Sequence, residues 1–108
     1  MGYFLVQASY TSEAIAAMMQ HPEDRTPAVR SFVEKLGGTL IGFWFSLGEF
    51  DALEIYQVPD DITAAAFSFA VSQTGRFKAV KTTPLLTSEE ALVAMNKARD
   101  AGYQAPGT

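Results

Sequence analysis

The sequence contains no cysteine and only one histidine, His21. Without cysteine the protein has no disulfide, no thiolate nucleophile and no zinc site built on sulfur. His21 is the only side chain whose unperturbed pKa lies near neutrality, so general bases and nitrogen ligands are scarce as well. We therefore predict no metal site and no bound cofactor.

Positive charge and long apolar runs are also scarce. The chain has 8 Lys and Arg against 12 Asp and Glu, a net charge of −4, and its basic residues form no run. Nucleic acids and anionic membranes need a basic footprint, so neither is an expected partner. No stretch approaches the ~20 apolar residues of a membrane span. The first residues lack the basic segment of a signal peptide, which predicts a cytoplasmic protein.

The 108 residues predict one domain, 1–108, in which strands and helices alternate. Residues 3–10 show the two-residue alternation of a strand. The helical region that follows is interrupted by His21 and Pro22. A second helix is predicted from Thr26 and Pro27, because proline is tolerated at the first helical position. Two glycines end this helix near residue 37.

The second half of the chain begins with a hairpin over residues 39–59. A helix is predicted after Asp60, and a fourth strand over residues 76–86. Thr87 and Glu90 then form a capping box, the start signal of a last helix. The segment 103–108 is predicted to be mobile.

This order, β-α-β-β-α-β with a terminal helix, predicts an α+β, ferredoxin-like fold with a four-stranded antiparallel sheet. The alternation predicts one face beneath the helices, with Phe4, Val6, Phe43, Phe45, Leu53, Ile55 and Val80. The opposite, open face is predicted to carry Tyr3, Leu5, Leu40, Trp44 and Tyr56 among Gln7, Glu54 and Lys81. A monomer rarely exposes so large an apolar patch. We therefore expect a homodimer, or an assembly of dimers, in which two sheets pair as an α+β barrel. A terminal helix folded back across the open face is the alternative.

Three segments of the chain resemble the GYD-domain family, small bacterial proteins of the dimeric α/β-barrel class. They are GYFLVQASYTSEAI, HPEDRTPAVRSFVEKLGGTLIGFWFSLGEFD and VKTTPLLTSEEAL, and the resemblance covers roughly residues 2–95. The family's Gly-x-Tyr-Asp motif falls on Gly48, Glu49, Phe50 and Asp51. Phenylalanine replaces the motif's tyrosine, and it cannot donate a proton. The wider class includes monooxygenases, haem-handling enzymes and ligand-responsive domains, an analogy of fold that does not transfer chemistry.

Three residues are weak catalytic candidates: His21, Asp51 and Glu54. Asp51 and Gly48 are typical of a tight turn, where glycine supplies positive φ and aspartate binds nearby amides. The alternative makes Asp51, with Glu49, an acidic pair at a pocket mouth. His21 lies in the polar loop HPEDRTP, which favours an exposed residue at a helix end over a base or a ligand.

The open face also predicts a ligand-binding set: Tyr3, Gln7, Trp44, Glu54, Tyr56 and Lys81. Aromatic side chains with a few polar groups are typical of small-molecule pockets, although they are equally typical of cores and interfaces. We favour a non-catalytic binding or accessory module for a small apolar or aromatic molecule. A cofactor-independent enzyme, monooxygenase-like or isomerase-like, is the alternative, and a purely structural protomer is a third possibility.

Overall fold

The computed structural model describes residues 1–107; Thr108, the last residue of the segment predicted to be mobile, lies outside the described part. The elements in chain order are β1 (Gly2–Tyr10), α1 (Ser12–Gln20), α2 (Thr26–Lys35), β2 (Thr39–Phe45), β3 (Ala52–Val58), α3 (Asp61–Ser72), β4 (Phe77–Leu85) and α4 (Ser88–Ala101). The predicted order of elements is confirmed, including the interruption of the first helical region after residue 20.

The four strands form one antiparallel sheet in the order β2-β3-β1-β4. Helices α2 and α3 contribute Val33, Ala64 and Phe67 to a core that includes Phe4 and Tyr56 of the sheet. Helix α1 adds Ala14 to a smaller cluster at the end of the same face. The α+β fold with a ferredoxin-like sheet and a C-terminal helix is therefore present, and no helix within residues 1–107 is long and apolar enough to cross a membrane.

Local signals explain where most helices begin and end. The side chains of Thr11, Asp60 and Thr87 each accept a backbone N–H bond from the first turn of α1, α3 and α4. Such bonds satisfy amides that have no partner within the helix. Helix α2 begins one residue before the predicted first helical position, Pro27, because Thr26 is its first residue; the carboxylate of Asp24 accepts the Thr26 N–H at 2.9 Å.

The prediction for the two faces of β3 was wrong. Val6 of β1 is paired with Glu54, and Phe4 is paired with Tyr56. Directly paired residues point to the same side of a sheet. Glu54 and Tyr56 therefore lie beneath the helices, whereas Leu53 and Ile55 lie on the open face. Both faces of β3 are apolar enough to be buried, so the sequence of the strand alone does not decide which face lies beneath the helices.

A bulge in β2 explains the second error, which concerns Leu40. The pairing of β2 with β3 shifts between Leu40 and Gly42, so Ile41 is left without a partner. One extra residue reverses the alternation beyond it. Leu40 therefore lies on the same face as Phe43, and is buried beneath the helices rather than on the open face.

The open face keeps Tyr3, Leu5, Gln7, Trp44 and Lys81, as predicted, and gains Leu53 and Ile55. The six-membered ring of Trp44 lies against Gly42: a Cβ on Gly42 would come 2.6 and 2.8 Å from its Cζ2 and Cζ3 atoms. No helix within residues 1–107 covers this face, since α1, α2 and α3 pack on the other side and α4 makes no more than marginal contact with the sheet.

Candidate functional site

A cavity of about 400 Å³ lies between the sheet and helices α2 and α3. Its apolar lining includes Val6, Ala8, Phe32, Phe43, Phe67 and Val71. Exposed residues line it where α2 begins and α3 ends, among them Arg25 and Thr74, so the cavity reaches the surface there. The cavity thus has the apolar walls and the size, roughly 300–1,000 Å³, of small-molecule sites.

Glu54 is the acidic group of this cavity. The strand pairing places it between Val6 of β1 and Phe43 of β2, and only 6% of its surface is exposed. Within residues 1–107 its carboxyl makes no hydrogen bond and no salt bridge. Burial raises the pKa of Glu54 to about 7, because the apolar surroundings disfavour the ionised form. Near neutral pH the group can therefore either donate or accept a hydrogen bond.

Tyr10 lines the same cavity at the end of β1. Its ring packs against Phe77, with the centroids 4.9 Å apart. Burial raises the pKa of Tyr10, the positive charge of Arg25 partly opposes the shift, and the charges of Glu54 and Asp51 add to it. Tyr10 and Arg25 are thus a hydrogen-bonding group and a cation that share the cavity with Glu54. Neither was among the predicted site residues.

A second, more open cavity of about 740 Å³ lies beside α1 and contains His21. His21 is exposed at the C-terminal end of α1, and it does not line the cavity that holds Glu54. The described residues contain no group of three or more His, Cys, Asp or Glu side chains that could hold a metal ion. The structure therefore does not bring two of the three catalytic candidates, His21 and Glu54, into one cavity.

Asp51 is bound to the backbone of β1. Its Oδ2 atom accepts a hydrogen bond from the N–H of Tyr10 at 2.9 Å, and its own N–H donates to the carbonyl oxygen of Ala8 at 2.9 Å. Asp51 thus extends the pairing with β1 by one residue before the start of β3. This geometry supports the turn interpretation of Asp51.

The loop before Asp51 is closed by two hydroxyl groups. Ser9 donates to the carbonyl oxygen of Glu49 at 2.7 Å, and Ser46 donates to that of Phe50 at 2.8 Å. Gly48 has φ of +115°, a conformation that residues with a Cβ rarely adopt. The loop that contains the Gly-x-Tyr-Asp motif is therefore a turn joined to the end of β1.

A family model described as the GYD domain matches residues 4–95, which include the motif and all of the sheet except the first two residues of β1. The chain belongs to the GYD-domain family. Comparison with curated proteins gave no match, and neither did comparison with solved structures.

In this GYD domain the predicted ligand-binding set is divided between the two faces of the sheet. Tyr3, Gln7, Trp44 and Lys81 remain on the open face. Glu54 lies in the cavity on the opposite face. Tyr56 packs beneath the helices, 4.9 Å from Phe67 between ring centroids, and does not line the cavity.

Sequence reasoning missed most of the lining of the GYD-domain cavity. One signal was present: Glu54 is the only charged residue in β3, in the middle of a strand that is otherwise mostly apolar. Charged residues are almost never fully buried unless they are paired. The alternation of β3 had placed Glu54 on the open face, and only the pairing with Val6 places it in the cavity.

Proposed function

We propose that this GYD domain binds a small molecule with an apolar or aromatic body and one polar group that hydrogen bonds to Glu54. The observation that supports the proposal is the carboxyl of Glu54, a residue only 6% exposed, which has no protein partner and borders an apolar cavity of about 400 Å³. Buried polar groups in proteins are generally hydrogen-bonded, and an unpaired one is costly. A ligand hydroxyl or amine would supply the partner that the chain lacks.

The apolar walls of the cavity support the same ligand class. Phe32, Phe43 and Phe67 offer aromatic surface, and Phe32 and Phe67 lie 5.5 Å apart between ring centroids. Aromatic rings favour tilted or offset contacts at such distances, so a further ring suits this environment. Tyr10 and Arg25 offer further polar contacts near the surface opening.

Calorimetric titration with para-cresol and toluene tests the proposal. The two molecules have similar bodies, but only para-cresol has a hydroxyl. We expect para-cresol to bind at least about tenfold more tightly, which corresponds to one hydrogen bond of about 1.4 kcal/mol. Glu54→Ala should abolish this preference, and Glu49→Ala, an exposed loop variant, should retain it. Absence of binding, or an unchanged preference in Glu54→Ala, would contradict the proposal.

The raised pKa of Glu54 favours a second candidate, an isomerase-like enzyme that needs no cofactor. A general base works best when its pKa is close to the working pH, and that of Glu54 is about 7. The carboxylate would take a proton from the carbon next to a ligand carbonyl and return it to another carbon. Exchange of such protons of cyclohexanone in D2O, followed by NMR, tests this candidate. Exchange that does not exceed the buffer rate, or that persists in Glu54→Gln, would contradict it.

We also propose that the protein acts as a homodimer that covers the open face of the sheet. Leu5, Leu53 and Ile55 form an apolar group at the centre of this face, and the half-exposed indole of Trp44 lies beside them. Sedimentation velocity at micromolar concentration should give the mass of a dimer or of a multiple of it. A monomer under these conditions would contradict the proposal, whereas the ligand titration above tests the cavity separately.

A further inference from the structure

Helix α4 packs against no other element of the described chain beyond marginal contact. It has 14 residues, and all except Ala91 are exposed. Both ends are nevertheless well defined: Thr87 and Glu90 form a capping box, and Gly102 ends the helix in the left-handed conformation. Isolated helices of about 12–15 residues are only marginally stable in water. Helix α4 therefore has helix signals at both ends but no packing partner.

The dimensions of the chain show how far it departs from a compact monomer. Its extents are 60 × 33 × 21 Å and its radius of gyration is 17.6 Å, whereas a compact chain of this length has about 13 Å. Its accessible surface is 7559 Å², against about 5,900 Å² for a compact monomer of its mass. The difference, about 1,700 Å², is within the area that one subunit buries in an obligate dimer, roughly 1,000–2,500 Å².

Helix α4 is also amphipathic. Ala91, Leu92, Met95 and Ala98 recur at helical spacing on one side, which we call the α4 stripe, and Leu92 and Met95 are 60% and 65% exposed. Residues on the other side include Glu89, Asn96 and Lys97. In globular proteins the apolar stripe of an amphipathic helix normally faces a core rather than solvent.

We infer that α4 is an arm whose α4 stripe packs on a second copy of this chain. This inference rests on the homodimer proposed above and adds a specific contact to it. One chain carries both an apolar helix without a partner and an apolar sheet face without a cover. A two-fold axis gives each copy an arm and a receiving surface at once. The excess surface, which has the size of one subunit's share, favours a second copy over a small or peripheral partner.

Two charge-matched variants test the arm by sedimentation velocity. Leu92→Lys with Met95→Lys changes the α4 stripe, and Val93→Lys with Asn96→Lys adds the same charge to the other side. Val93 is 57% exposed, so in a monomer both variants would be tolerated equally. We expect the stripe variant to weaken the dimer at least about 100-fold, so that it sediments as a monomer at micromolar concentration. The control should remain dimeric, and equal behaviour of the two variants would overturn the inference.

A crosslinking experiment keeps the inference falsifiable if the stripe variant does not fold. A photo-crosslinking amino acid at position 95 should give a covalent dimer, whereas the same group at position 93 should give little. A crosslink within one chain, or none, in a protein that sediments as a dimer would overturn the arm and leave the homodimer standing. A monomer would overturn both. Neither result affects the proposed ligand cavity, because α4 does not line it.

Discussion

The backbone N–H of Tyr10 donates a hydrogen bond to Oδ2 of Asp51 at 2.9 Å, across 41 positions of sequence. This bond joins the end of β1 to the loop between β2 and β3. Tyr10 also lines the Glu54 cavity, so the motif aspartate holds one wall of the candidate site. The structure thus supports a structural role for the motif, in which Asp51 holds Tyr10 in place.

Asp51→Ala should therefore destabilise the protein. It leaves the N–H of Tyr10 without its acceptor, and the loss of this partly buried bond to a carboxylate lowers the free energy of unfolding by about 1–3 kcal/mol. Urea unfolding measures the change. Glu49→Ala is the matched control, because Glu49 contributes only its backbone oxygen to the loop, and it should stay within about 0.5 kcal/mol of the wild type. Equal stability of the two variants would contradict the assigned role of Asp51.

Glu54 should make stability depend on pH. Its pKa is about 7 in the folded protein and near 4.5 ordinarily, so the folded state binds more protons than the unfolded state between these values. The free energy of unfolding should then be highest below about pH 4.5 on account of this group. It should fall by up to about 1.4 kcal/mol per pH unit until about pH 7, and stay constant above that.

Glu54→Gln removes this titration. Relative to the wild type, the variant should gain up to about 3 kcal/mol at pH 8 and little at pH 4, as measured by urea unfolding at both values. Glu49→Gln on the exposed loop serves as the control for the loss of one negative charge. A stability difference for Glu54→Gln that does not grow with pH would show that Glu54 is not a buried acid.

Tyr56→Phe should not destabilise the protein. The hydroxyl of Tyr56 is buried and finds no hydrogen-bond partner in the described structure, so its removal takes away an unsatisfied group while the ring stays between Phe4 and Phe67. We expect a free energy of unfolding that is unchanged or up to about 1 kcal/mol higher. Ser9→Ala is the contrasting variant, since its hydroxyl donates to Glu49 and its loss should lower stability by about 0.5–1.5 kcal/mol. A marked loss in Tyr56→Phe would reveal a partner for the phenol.

Gly42→Ala should displace the indole of Trp44. A Cβ at position 42 would collide with the ring, which must then leave its place on the open face. Because Trp44 is the only tryptophan, its fluorescence reports the movement directly. We expect a shifted emission maximum and a change in the free energy of unfolding of less than about 1 kcal/mol, because the half-exposed ring can move aside and glycine is itself unfavourable in a strand. Thr39→Ala, an exposed change in the same strand, should leave the emission as in the wild type.

The amino-acid sequence by itself determined the order of the elements, most of their ends and the family. These features depend on neighbours in the chain: Asp60 and Thr87 bind amides three residues away, and Gly102 ends α4 through its own φ. Only the tertiary structure decided which face of β3 is buried. The alternation shows which residues of β3 share a face, but not which of the two faces is buried. The pairing of Glu54 with Val6, almost fifty residues away in the sequence, decides this. Strand pairing also decides the position of Leu40. The bulge at Ile41 places Leu40 on the buried face, since one unpaired residue reverses the alternation. The cavity around Glu54 therefore appears only when the strands are paired.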